Sequence, residues 1–282
     1  MKGVLENSLF ETQPHKFEHL NELTRQFATI YCGNSIVKDN IFAVIENYAR
    51  KKEIPLEILR FPIHDGELWA MTFLKKGTIF VCVNSELALC KQFFAAAHEL
   101  YHIYCYVEDA DQSYIKNGSM LDSDTANETG KTQEDVEANA FAGLLLMPDQ
   151  LLSNQIDLFG IDKDDMDTDS VLSLMDMFAI PYKATVLRLY ESNCIKRHKA
   201  EELFRVTAED VAKRVELTGK AKRWQLDGSG TESFGTLLEK ADYNTEHDYL
   251  TESREKEDWK YISELKKELG ILEVEERNLV DI

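Results

Sequence analysis

Apolar positions along this chain recur mostly at helical spacing, with one short region at strand spacing. Ile41, Val44, Ile45 and Tyr48 share one face of an amphipathic helix predicted within Ser35 to Lys52. Pro55 then opens LEILRFPI, and the stretches Glu67 to Leu74 and Thr78 to Asn84 read as strands joined by a Lys75-Lys76-Gly77 turn. These three short strands predict a small, largely antiparallel sheet. The following stretch, KQFFAAAHELYHIYCYV from Lys91 to Val107, lacks Gly and Pro and is apolar nearly all round, so it predicts a buried helix packed on that sheet. A second helix is expected over Thr132 to Gln150, where Asp135, Ala138, Asn139, Ala142 and Gly143 share a face of small residues with an acid at one end. Pro148 closes that pattern. Between the two helices, Glu108 to Thr132 is polar and too long for an ordinary connection, which predicts a lid or an insert.

The remaining windows are simpler. Val171 to Glu191 predicts two helices around a turn at Ile180-Pro181, with some helix-turn-helix character. Lys199 to Val215 and Thr251 to Leu269 predict further helices, the second capped by Gly270, with GSGTESFG (Gly228 to Gly235) as a loop between them. The fold class expected is α+β: mostly helical, with a three-stranded sheet on the buried helix and a helical C-terminal extension. The expected division is a polar N-terminal extension over 1–33, a central domain over 34–194, and an acidic, mainly helical region over 195–282. His15 and His19, in the first of these, are expected on the surface.

Chemistry enters with HELYH, His98 to His102. On a helix, positions i and i+4 lie on one face, so His98 and His102 can aim two imidazole nitrogens at one metal ion, as in the HExxH pattern of zinc peptidases. Glu99 beside them is the candidate general base, placed to take a proton from an attacking water and return it to a leaving amine. Histidines and a glutamate within an apolar helix need partners, and a metal supplies them. A third protein ligand is needed. Asp135 is favoured, because its face carries the small residues that let the second helix approach HELYH. Glu137, rotated by roughly 200° from Asp135, is the alternative, and Glu134 is a further competing acid. Tyr101, Tyr104, Tyr106 and His64 are candidates by type for stabilising an oxyanion.

HELYH followed by EANAFAGLLLMP, Glu137 to Pro148, resembles the ImmA/IrrE family of metallopeptidases. The similarity extends from about Ser35 to about Asn193 and takes in TIFVCVNS and DMFAIPYKATVLRLYE. The resemblance implies a zincin-like metallopeptidase fold, a single zinc ion, and cleavage of helix-turn-helix repressors of mobile elements or stress responses. The family's third ligand is usually a Glu four residues before the Asn of the EAN-like run; in this chain that position is Asp135, whose shorter stem needs the two helices closer together.

Composition narrows the partners. The formal net charge of −19 repels a phosphate backbone, so direct nucleic-acid binding is not expected, and a basic protein partner is favoured. KRHKAEELFR and GKAKRW are basic runs diluted by acids. No stretch approaches the length of a membrane span, and the N-terminus lacks a signal-peptide core. Five scattered cysteines without a CxxC pair suit a reducing cytoplasm. The acidic run IDKDDMDTDS lacks the glycine and final glutamate of a calcium loop and reads as a solvated turn. The function expected is a zinc-dependent endopeptidase acting on a regulatory protein. The alternative is a non-enzymatic interaction protein that keeps the peptidase fold.

Overall fold

The structure is a computed structural model that describes residues 2–34, 36–109, 115, 119–122, 132–220, 228–247, 249–254, 256–257, 259–260 and 263. Three helices open the chain: α1 (Lys2–Glu6), α2 (Leu9–Thr12) and α3 (Pro14–Phe27), the last running on through a π turn to Gly33. His15 and His19 are exposed. The opposite face of α3 is not solvated: Phe17, Leu20, Thr24 and Phe27, at helical spacing, are buried, and Phe27 meets Phe141 edge-on at 5.4 Å. The polar N-terminal segment therefore contributes a side of the main core. Helix α4 (Ile41–Lys51) buries Ile41, Val44, Ile45 and Tyr48, the stripe read from the sequence.

Among the described residues five strands form one sheet in the order β4-β2-β3-β1-β5. Strands β1 (Leu56–Phe61), β2 (Leu68–Lys75) and β3 (Thr78–Asn84) are the three expected ones. β2 and β3 form a hairpin whose two turn residues, Lys76 and Gly77, both have positive φ (50° and 82°), the conformation that fits the twist of a two-residue hairpin. The sheet differs from the expectation in two respects. β1 pairs with β3 in parallel, because the chain crosses to β2 on the far side of β3 before returning. Short end strands are added on both sides, β4 (Ser119–Asp122) on β2 and β5 (Ser233–Phe234) on β1. The run GSGTESFG thus holds a strand as well as a loop. β3 is buried on both faces: Ile79, Val81 and Val83 face the main core, while Phe80 and Cys82 join Leu59, Phe61 and Phe234 in a second cluster. Double burial is why TIFVCV is continuously apolar instead of alternating.

The long helix α5 (Leu89–Glu108) lies on the inner face of the sheet, and α6 (Gln133–Leu146) packs beside it. Ala95, Ala96 and Ala97 are fully buried on α5, as are Ala138 and Ala142 on α6. Of the stretch between these helices only Asp109, Ile115, β4 and Thr132 are described; the expected lid lies otherwise outside the described residues. After Pro148 come α7 (Asp149–Phe159), α8 (Thr168–Phe178) and α9 (Tyr182–Glu191), the last two bent by 98° around Ile180-Pro181. The acidic run before α8 is largely exposed and ends in Asp167, which caps that helix by accepting from the Ser170 amide. The helix expected over Lys199 to Val215 is divided into α10 (Arg197–Leu203) and α11 (Ala208–Leu217), with Thr207 capping the second. Helix α12 (Leu237–Glu246) follows β5, and most of the predicted helix after Thr251, with its Gly270 cap, lies outside the described residues. Among the described residues no single helix is long and apolar enough to cross a membrane.

Candidate metal centre

Helix α5 has no helix breaker and a fully buried middle, so its side chains are held in place by packing on both sides. His98, Glu99 and His102 are all buried, and the two imidazoles face each other with Nε2 atoms 3.0 Å apart. Helix α6 starts one residue after Thr132, through a reciprocal capping box. The Thr132 hydroxyl accepts the Asp135 amide at 3.1 Å, and Asp135 Oδ2 accepts the Thr132 amide and hydroxyl at 2.9 and 2.7 Å. That box leaves Asp135 Oδ1 turned to the histidines, 3.5 Å from His102 Nε2 and 3.9 Å from His98 Nε2. His98, His102 and Asp135 each offer one ligand atom, all within 4.8 Å of one another.

The competing acids are placed elsewhere. Glu137 accepts the Tyr101 hydroxyl at 2.5 Å and pairs with Lys16 of α3 at 3.0 Å. Glu134 lies against the opposite edge of the His102 ring, with Oε1 at 2.5 Å from Nδ1. The helix start decides this arrangement, because Asp135 and Glu137 lie about 200° apart around α6. Among the oxyanion candidates, Tyr101 gives its hydroxyl to Glu137, Tyr104 packs edge-on against Phe27 at 5.9 Å, and His64 pairs with Glu86 in an exposed position. Burial, reinforced by Glu134, pushes the Cys105 thiol up to about 12, and Cys105 does not belong to the group that converges with His98, His102 and Asp135.

Electrostatics agree with a cation site. Burial disfavours a charged His102, but the carboxylates of Asp135 and Glu134 outweigh it and lift the imidazole to about 9. Burial likewise works against ionised Asp135, yet hydrogen bonds from His102 and Thr132 hold its carboxyl well below the usual range. The donor chemistry fits a metal. His98 Nδ1 lies 3.0 Å from Asn139 Oδ1 and His102 Nδ1 faces a carboxylate oxygen, so each Nδ1 has an acceptor for its hydrogen, and each Nε2 can turn a lone pair to a metal once the proton that His102 holds in the metal-free site has left. Two Nε2 atoms 3.0 Å apart beside a carboxylate call for positive charge between them, supplied by the proton that the raised His102 holds or by a metal ion that displaces it.

Two of these contacts escaped the sequence. Glu134 was legible only as a competing ligand, and Asn139 only as part of the small-residue face and of the EANAFAGLLLMP run. The T-x-x-D spacing of Thr132 and Asp135 was a usable capping signal that would have located the helix start.

Two histidines one turn apart, a neighbouring glutamate and a carboxylate from a second helix define a metallopeptidase. Residues 51–190 match the M78 peptidase family model, described as the IrrE N-terminal-like domain, and this segment is a domain of the ImmA/IrrE metallopeptidase family. Comparison with curated proteins finds no match.

Proposed function

We propose that this protein is a zinc endopeptidase that cuts a regulatory protein, specifically a helix-turn-helix transcriptional repressor. The observation that carries the proposal is the convergence of His98 Nε2, His102 Nε2 and Asp135 Oδ1. Two imidazoles and one carboxylate match the protein donors of catalytic zinc sites, which keep one position open. When bound, the ion supplies Lewis acidity that polarises a carbonyl and acidifies water. The chain's own residues do the rest. Asp135 and the two histidines hold the ion, and Glu99, next in sequence to His98, accepts a proton from the attacking water and delivers it to the departing amine. An extended substrate would add to the sheet along β4, which has no outer strand partner among the described residues and whose sheet packs on α5. Backbone pairing of this kind positions a scissile bond with little demand on side chains.

A net charge of −19 supports a basic partner, such as the DNA-contacting surface of a repressor. The free cysteines suit a reducing cytoplasm. The test is to incubate purified protein, zinc and a helix-turn-helix repressor encoded beside its gene, and to map new termini by mass spectrometry. A defined cut made by the wild type and lost in Glu99→Gln, with zinc content unchanged, is the expected result. Cutting by Glu99→Gln at the wild-type rate would remove Glu99 from the chemistry. An intact repressor under wild-type enzyme that cleaves another protein would overturn the substrate assignment alone.

A further inference from the structure

Helix α6 does more than bring Asp135 to the histidines. Around its axis Glu134, Ala138, Ala142, Asp135 and Asn139 span an arc of about 140° facing α5. The two alanines in the middle are fully buried and let the helices close up. At the edges of that arc stand Glu134 and Asn139. Glu134 Oε1 is 2.5 Å from His102 Nδ1, and Asn139 Oδ1 is 3.0 Å from His98 Nδ1. Both contacts are on the side of the ring away from the shared Nε2 point. The two rings are thereby held 4.8 Å apart between centroids and inclined by 63°.

We propose that Glu134 and Asn139 are positioning residues of the metal centre, each locking one histidine in the tautomer whose Nε2 lone pair faces the ion. The inference rests on the metal site proposed above. An imidazole without an acceptor at Nδ1 can rotate or carry its hydrogen on Nε2, and either change removes a ligand until it is reversed. Acceptors that carry no hydrogen of their own, a carboxylate and an amide oxygen, exclude both. The pair is unequal: the anionic partner makes His102 the stronger donor, whereas His98 has a neutral one. Loss of such a partner typically weakens metal binding about 10- to 100-fold.

The experiment is zinc competition against a chromophoric chelator with the full-length protein and its Glu134→Ala, Glu134→Gln, Asn139→Leu and His102→Ala variants, with helix content followed by circular dichroism. Glu134→Ala and Asn139→Leu are expected to bind zinc about 10- to 100-fold more weakly while folded. Glu134→Gln, whose amide oxygen still accepts, is expected to recover much of the loss. Wild-type affinity in both Glu134→Ala and Asn139→Leu, with affinity lost in His102→Ala, would overturn the positioning role and leave the site standing. Wild-type affinity in His102→Ala would instead overturn the site itself. Should Glu134→Ala fail to fold, the His102 Nδ1 proton resonance of the zinc-loaded protein decides: it moves upfield in Glu134→Gln if the carboxylate holds it, and an unchanged resonance refutes the contact.

Discussion

Arg188→Met is a stringent test of how the C-terminal end of α6 is anchored. Arg188 is 1% exposed, so its guanidinium is a buried cation. It donates to Glu191 Oε2 at 2.7 Å, to the Met147 carbonyl through Nε and Nη2 at 3.3 Å each, and to Asp149. It therefore joins α9 to the residue that ends α6 and to the start of α7. Methionine keeps most of the stem volume and removes the charge. Glu191 is then a buried carboxylate without its partner, and the Met147 carbonyl loses two donors. Removing one member of a buried pair costs about 3–5 kcal/mol, and that sum already contains the stranded acceptor. Asp149 is partly solvated and adds little. Burial already raises the Glu191 carboxyl despite the offset from Arg188, and without Arg188 it rises further. A carboxyl raised in the folded state is harmless to stability below its unfolded value, about 4.3. Its penalty grows as pH climbs from there to the folded value and is complete above it. Urea unfolding followed by circular dichroism should therefore show a deficit of about 3–5 kcal/mol at pH 7.5 that narrows toward pH 5. Arg188→Met/Glu191→Leu should recover much of it. A deficit below about 1 kcal/mol, or one independent of pH, would refute the buried-pair account.

The remaining predictions concern α6. Asp135→Ala should weaken zinc binding by orders of magnitude, whereas Glu137→Ala should leave it nearly intact and lower stability through the lost Tyr101 and Lys16 contacts; isothermal titration of both variants checks this, and the reverse order would assign the ligand to Glu137. Thr132→Ala should cost about 1 kcal/mol as a lost cap and weaken zinc binding as well, because the same hydroxyl holds Asp135; unfolding curves and chelator competition read the two effects separately. In Gly143→Ala the new Cβ would stand 2.9 Å from Arg188 Cδ, so overpacking of about 1–3 kcal/mol should exceed the helix-propensity gain of about 1 kcal/mol. A stabilised Gly143→Ala in thermal unfolding would show that the arginine stem gives way freely.

What could be read from the chain alone was what short windows encode. HELYH needs only i,i+4 geometry on a helix that its apolar flanks make certain, and the Lys76-Gly77 hairpin needs only two residues of the right conformational freedom. The stripe of α4 and the small face of α6 are likewise periodicities of one element. The preference for Asp135 also followed from angular position on a single helix, and the structure brings that residue, not Glu137, to the histidines. Other features depended on segments distant in sequence. The parallel pairing of β1 with β3 depends on which side of β3 the chain crosses, and β5 reaches β1 from far along the chain, Phe234 opposite Leu59 and Ser233 opposite Arg60. Lys16 of α3 meets Glu137 of α6, and Arg188 of α9 fills the space left by Gly143. No local pattern states such partners, since a buried face specifies that something must cover it and not what. The same holds at the metal centre. The sequence named three candidate ligands by residue type and spacing, but only the packing of α6 on α5 decided that Glu134 and Asn139 stand behind the two rings, because hydrogen-bond partners are chosen by the distances that tertiary closure creates.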